Sequence, residues 1–453
     1  MSNFLSVLDK EKIIAGDNYN RWLFPPAALC IHLSIGQVYA FSVFNLPLSR
    51  IIGITESTPD DWRLTTIGWI FSTAIVFLGL SAAFAGRWLE GAGPRKAMLA
   101  SALCFGGGFF VSALGVELHS IWLVYLGYGV LGGIGLGLGY ISPVHTLISW
   151  FPDRPGMATG LAIMGFGGGA MIASPLSVAL MDYFSSPASV GVAATFVTMG
   201  GLYLAFMLMG AVIVRTPQKG WLPRGYTPPV DDQPLITTHN VLVGEAVRTP
   251  QFYLLWGVLC LNVTAGIGVL GQASVMSQEM FPDQITPQTA AGFVGLLSLF
   301  NMAGRIVWSS TSDYIGRRRT YMVYFTLGIA LYALIPVTGQ IGSVTLFVVG
   351  YLIIMSMYGG GFATIPAYLC DLFGAKNVSA IHGRLLTAWS VAGVLGPVLV
   401  NYIREYQIES GVPKGQAYEV TMYIMAGLLL VGLACNRAVK PVDPRFHDKE
   451  PVS

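Results

Sequence analysis

Apolar runs of about 20 residues, each long enough to cross a bilayer core as a helix, recur along nearly the whole chain. Their spacing predicts twelve spans. Six lie at about 23–45, 67–88, 97–117, 121–148, 157–183 and 190–214, and six more at about 251–276, 290–312, 320–341, 344–372, 380–403 and 418–437. Between the two sets runs a polar stretch, Arg215 to Thr249, holding Pro217, Pro223, Pro228, Pro229, Asp231 and Asp232. The expectation is an all-α membrane protein. One six-helix bundle occupies residues 1–214, a cytoplasmic linker 215–249, and a second bundle 250–453. The polar segment through Asn20 has no signal-peptide core, so the first span is expected to be retained.

Charge placement sets the expected orientation. Basic residues fill alternate connections: Arg95 and Lys96, Arg154, Arg215 with Lys219 and Arg224, Arg317 to Arg319, and Lys376 with Arg384. Both tails are basic as well, through Lys10, Lys12 and Arg21 at one end and Arg437, Lys440, Arg445 and Lys449 at the other. Basic residues favour the cytoplasmic side, so both termini are expected there, in the cell's inner membrane.

Composition narrows the class. Of 453 residues 54% are hydrophobic and 11% charged, against about 25% charged in soluble proteins, which excludes a water-facing fold. The five cysteines sit in apolar spans at unrelated spacings, with no C-x-x-C pair and no histidine cluster. Neither a disulfide framework nor a metal or cofactor site is expected. Gly133, Gly135, Gly137 and Gly139 lie inside an apolar span rather than after a strand, so they read as a helix-packing face, not a nucleotide loop. Asn377-Val378-Ser379 fits a glycosylation sequon but falls on the expected cytoplasmic side.

The two sets of spans repeat. Between spans two and three the chain reads Gly86-x-x-x-Glu90-Gly91-Ala92-Gly93-Pro94-Arg95-Lys96, and between spans eight and nine Ser309-x-x-x-Asp313-Tyr314-Ile315-Gly316-Arg317-Arg318-Arg319. Phe151 and Pro175 recur as Phe373 and Pro397, and Gly137 and Gly139 as Gly359 and Gly361, all at an offset of 222. Two related halves are the expected architecture.

These loops resemble the G-x-x-x-D-R-x-G-R-R motif of the major facilitator superfamily, with Glu90 for Asp, Gly91 for Arg and Ser309 for the leading Gly. The resemblance covers essentially the whole chain. It implies two pseudo-symmetric six-helix bundles, a central cavity, and alternating access by rocking. Within the superfamily the chain is similar to the oxalate:formate antiporter family, relatives of the monocarboxylate transporters, through Gly36 to Phe44, Asn301 to Arg305, and Asp371 to Asn377. That likeness places the family's substrate-pairing arginine on Arg305, its tenth-helix aromatics on Tyr358 and Phe362, and a first-helix tyrosine on Tyr39. Trp389 stands where the oxalate antiporter has a second cation, a lysine, which favours a monocarboxylate here. Asn301 stands where monocarboxylate transporters have an acid, and the first span has no lysine.

Arg305 is also singled out by its depth. It lies eight residues before Asp313, roughly 12 Å further into the bilayer. A charge at the bilayer centre costs roughly 3 kcal/mol or more, so it marks a functional site. The corresponding residue of the first half is Ala82. Arginine suits an anion because its planar fork binds carboxylate bidentately. Asn301, one turn earlier, either orients the guanidinium or bridges helices, and Trp308, about one turn later on the same helical face, reads as packing. Tyr140 and Phe362 are repeat mates, roughly 16 Å from the cytoplasmic ends. They and Tyr358 either wall a cavity or pack. Trp389 is near the same depth. His382 is either a proton relay or a hydrogen-bonded interfacial histidine; His32 and His145 have weaker claims. The loop motif reads as a gate built from Asp313, Gly316 and Arg317, with Glu90, Gly93 and Arg95 their counterparts. The acids nearest a span interior are taken to be Glu90 and Asp313.

The expected function is secondary active transport of a small carboxylate, most simply lactate, pyruvate or formate with a proton. The alternatives are oxalate:formate-type exchange and a transporter-like carboxylate sensor. The expected partners are the substrate, protons and the lipid bilayer, with no nucleic acid.

Overall fold

The computed structural model describes residues 8–16, 18–227 and 235–448. Among these, twelve helices are long and apolar enough to cross a membrane. The first set is α1 (Arg21–Leu48), α2 (Leu64–Ala92), α3 (Pro94–Glu117), α4 (Ile121–Trp150), α5 (Pro155–Phe184) and α6 (Val192–Ile213). The second is α7 (Pro250–Leu270), α8 (Pro287–Ile315), α9 (Arg317–Gln340), α10 (Val344–Phe373), α11 (Val378–Glu409) and α12 (Glu419–Ala438). All twelve predicted spans fall on these helices. The largest boundary errors are equal: α7 ends at Leu270, short of the expected 276, and α11 passes Arg404 and ends at Glu409 rather than 403. Hydropathy drops at Arg404, but its charge is paired, so the helix continues.

Phe84, Trp122, Tyr183 and Tyr402 stand largely exposed on the outside of the bundle. Aromatic residues favour acyl chains and the bilayer interface, so this surface fits a lipid surround. Inside, small residues let helices touch. Gly36 of α1 lies so close to α5 that a Cβ would stand 2.5 Å from the Phe166 carbonyl. From that glycine to Phe44 the helix tightens into a 3₁₀ coil, and Tyr39 is carried on it. Mid-helix 3₁₀ segments often mark a hinge or functional strain. A second interruption, at Leu386, separates Val378–Leu385 from Thr387–Glu409 within α11.

The two sets of helices meet along two seams, α2 against α11 and α5 against α8. Gly383 approaches Ala82 on the first seam; Gly156 and Gly160 approach Ser309 on the second. The turn from α2 to α3 is made by Gly93 at φ +86° and that from α8 to α9 by Gly316 at φ +88°. Both have strongly extended ψ, a region essentially restricted to glycine, which explains why the repeat preserves glycine at both turns.

Candidate functional site: an arginine between aromatic rings

Arg305 lies where α8 crosses α5, and its side chain is completely buried. Gly167 of α5 makes room for it: a Cβ there would stand 2.9 Å from the Arg305 Nε. Nε donates to Asn301 Oδ1 at 3.2 Å, and Nη1 donates to the Ile163 carbonyl of α5 at 3.1 Å. Nη2 is buried without a protein partner. Cζ sits 5.6 Å from the Phe166 ring and 5.4 Å from the Phe362 ring. Cation–π contact and two hydrogen bonds offset part of the desolvation cost. Among the described residues no carboxylate pairs with this guanidinium.

The predicted aromatic residues converge around it. The Tyr39 hydroxyl lies 3.1 Å from that of Tyr358, joining α1 to α10 across the two halves. Tyr39 meets Phe166 edge-on at 5.1 Å. Trp389 packs 4.3 Å from Phe362 and 5.3 Å from both Phe166 and Tyr140. The Tyr140 hydroxyl and Trp389 Nε1 are buried without protein partners. His382 reaches the edge of the group, 5.9 Å from Tyr140. Together with Arg305 Nη2, these atoms form a concentration of unspent donors, and buried polar groups normally find partners. Phe166 was not anticipated from the sequence. Its repeat mate is Ala388, so the internal symmetry gave no sign of it.

A cavity of about 250 Å³ adjoins the site, lined by Tyr39, Ser42, Ala170, Ser174, Ser298 and Asn301. A second, of about 190 Å³, shares Tyr39 and Ser42 and adds Asn45, Gly68, Gln272 and Pro397. Ser42 and Asn45 follow Tyr39 along α1, and Ser298 precedes Asn301 along α8. Both cavities therefore lie on the side of Arg305 away from the termini.

Toward the termini the seam is locked. Asp313 accepts from the backbone N–H of Gly156 at 2.8 Å and of Met157 at 2.9 Å, capping α5 from the opposite half. Arg317 holds Asp313 at 2.7 Å and Asp371 at 3.0 Å and donates to Ser312 Oγ. Asp371 lies two residues before the end of α10, as Asp313 does before the end of α8, so a third acid sits at the level of the two expected ones; its position after an unbroken apolar run hid it. Arg95, the first-half counterpart of Arg317, donates instead to the carbonyls of Ala211, Val212 and Val214 at the end of α6. The Glu90 side chain lies outside the described residues. Trp308 does not share the face of Arg305: it turns to α9 and α10, donating to Ser356 Oγ at 3.1 Å and packing on Tyr324. Three residues advance a helix by less than a full turn, enough to move it off that face.

Residues 27–397 match the family described as Major Facilitator Superfamily, with a further match over 283–451. The chain is 25% identical over 387 residues to the uncharacterised MFS-type transporter YhjX of Escherichia coli, covering 83% of this chain and 87% of that protein. It is 27% identical over 384 residues to the oxalate:formate antiporter of Oxalobacter formigenes, covering 83% of each. The apicoplast pyruvate carrier 1 of Toxoplasma gondii is 25% identical over 72% of this chain and 68% of its own length. Among solved structures, the E. coli fucose:proton symporter FucP superposes with a TM-score of 0.63 at 13% identity, over 92% of this chain and 99% of that one.

Proposed function

The chain belongs to the major facilitator superfamily, a family of transporters rather than enzymes, and from that premise we propose that it carries a small monocarboxylate such as lactate, pyruvate or formate together with a proton. One observation carries the reading: a fully buried arginine, unmatched by any described carboxylate and with an unpartnered Nη2, whose hydrogen-bonded neighbour Asn301 lines a cavity between the halves. The carboxylate supplies the missing negative charge and accepts from Nη2, while the Tyr39–Tyr358 pair offers hydroxyls nearby. Neutralising Arg305 favours closure of the cavity around the substrate, which couples binding to rocking of the halves. The relatives named for oxalate, formate and pyruvate support a small carboxylate, and the cavity size agrees. Sites for drug-sized ligands run to roughly 300–1,000 Å³, larger than either cavity here. The gate at Asp313, Arg317 and Asp371 holds the terminal side shut in this state, and the basic connections support a cytoplasmic position for that side, with the protein in the inner membrane.

Exchange of one anion for another is a second reading, favoured by Asn301, which occupies a position next to Arg305 and cannot carry a proton. Uptake of labelled lactate, pyruvate and formate into proteoliposomes separates the two. Accumulation driven by an inward proton gradient establishes symport. Uptake that requires internal anion establishes exchange. Absence of uptake and of exchange for all three, and for oxalate, overturns the carboxylate reading.

A further inference from the structure

His32 of α1 is fully buried, and neither ring nitrogen makes a well-formed hydrogen bond, although the backbone of Gly139 and Tyr140 on α4 lies within reach. As a purely structural residue it is a poor choice, because an apolar ring would fill the space without stranding two polar atoms. Its surroundings tie it to the substrate centre. The ring stacks on Tyr140 at 5.5 Å, with planes 22° apart, and meets Phe166 edge-on at 6.5 Å. Phe166 is one of the two rings beside the Arg305 guanidinium, so the histidine and the arginine lie against the same phenyl group. Arg305 is close enough for its charge to act on the imidazole.

The neighbours can be named element by element. From α4, Tyr140 is the titratable group facing His32. From α5 come Gly165, whose Cβ would stand 3.1 Å from that of His32, and Phe166. α6 packs beside this stretch of α1 through Gly210, against Ala27 and Cys30. From α8 comes Arg305, the charged group that faces it among the described residues. His382 of α11 reaches Tyr140 at 5.9 Å.

We propose that His32 holds the proton that travels with the carboxylate, an inference that rests on Arg305 binding that carboxylate. Burial opposes a charge on the imidazole, and while Arg305 is unneutralised its field adds to that opposition in a medium of low dielectric. A carboxylate on Arg305 cancels that field. The anion and the proton therefore strengthen each other's binding, and the coupling is reciprocal. In the loaded state one proton from solvent sits on a ring nitrogen of His32 and one monoanion sits on Arg305. When the anion leaves on the other side, the restored charge of Arg305 expels the proton. One proton crosses per monoanion, and no net charge moves. Asn301, beside the guanidinium, has no proton to exchange, so the role falls to the imidazole. Tyr140, whose hydroxyl also lacks a protein partner, touches both His32 and His382 and supplies the next step of a path.

The test is calorimetric titration of the purified full-length protein with L-lactate, pyruvate and formate near pH 6, in buffers of different ionisation heat. The wild-type protein is expected to take up as much as about one proton per anion bound. His32→Gln is expected to bind the anion several-fold more weakly near pH 6, with an affinity that no longer falls as the pH is raised, and to take up almost no protons. In proteoliposomes it is expected to lose gradient-driven accumulation while keeping anion counterflow. Proton uptake undiminished in His32→Gln overturns the proposal, as does a loss seen in His382→Gln but not in His32→Gln. If His32→Gln does not fold, His32→Asn is read by the same criteria. Wild-type binding without proton uptake overturns this inference alone. No binding of any of the three anions overturns the reading of Arg305 and this inference with it.

Discussion

The two halves share a scaffold but carry opposite chemistry at matched positions. Arg305 on α8 corresponds to Ala82 on α2, Trp389 on α11 to Gly167 on α5, and Phe166 on α5 to Ala388 on α11. The seam between α2 and α11 is filled by close approach: a Cβ on Gly383 would stand 2.1 Å from the Ala82 carbonyl. The seam between α5 and α8 uses its glycine differently, to admit a guanidinium. Arg305, the large residue of the second seam, thus faces a small one supplied by the other half. The repeat specifies the helices and their turns, and departures from the repeat mark the site.

Making the two seams alike is the most severe way to break this comparison. Arg305→Ala is expected to reduce carboxylate uptake by about 100-fold or more, the usual scale for removing one partner of a buried charged pair. Arg305→Lys is expected to restore little, because an ammonium lacks the planar fork that spans Asn301 and Ile163. Initial uptake rates at matched protein abundance test both, and near-normal rates in Arg305→Ala would refute the assignment of the site. Gly167→Ala approaches the same centre from the other half. Its methyl collides with Nε, and a displaced binding group is expected to raise the KM for lactate by roughly 10-fold or more with the fold preserved.

The two loop motifs offer a milder comparison. Asp313 crosses between the halves, whereas the described contacts of Arg95 tie α3 to α6 within one half. Asp313→Asn weakens the cap on Gly156 and Met157 and the pairing with Arg317. A shift of about 1–3 kcal/mol toward opening on the terminal side is expected. Spin-label distances between α5 and α8 at that end report it, and an unchanged distance distribution denies Asp313 its gating role. Trp389→Lys supplies the second cation that the centre lacks. Inhibition of lactate uptake by oxalate is expected to strengthen by about 10-fold, and an unaltered competition profile would remove Trp389 from the binding surface.

What the chain disclosed in advance follows the same division. Helix number, the paired loop glycines and the depth of Arg305 were legible because they depend on hydropathy, backbone conformation and rise per residue. Asn301, Tyr39, Tyr140, Tyr358, Phe362 and Trp389 were nominated by spacing, symmetry or resemblance, and they do converge. Depth along a helix says nothing of azimuth, however. That is why Trp308 was placed on the wrong face, and why Asp371, distant in sequence from Arg317, was missed as its partner. Phe166 and His32 gain meaning only when α1, α5 and α8 are brought together, which no local pattern encodes.

At the end away from the termini the halves differ in a way that acid should reveal. In the first half Asp61 accepts from the N–H groups of Ile52, Gly53 and Thr58 and from the Thr58 hydroxyl, all within its own loop. In the second half Glu279, on the segment Ala273–Met280, binds Arg404 of α11 and accepts from the Tyr418 hydroxyl at 2.6 Å, tying a loop to distant helices. Burial pushes both carboxyls up, but these hydrogen bonds outweigh it and hold both below the usual carboxylate range. A carboxylate so depressed contributes stability at neutral pH, and that contribution is lost as the pH falls from about 4 through the folded-state value. Glu279→Gln is expected to lose about 1 kcal/mol at pH 7 and progressively less as the pH falls below about 4, seen as converging melting curves. Asp61→Ala should leave the global melt nearly unchanged and instead speed hydrogen exchange at Ile52, Gly53 and Thr58. Equal effects of the two substitutions on the melt would show that the first loop, too, is braced by the bundle rather than by itself.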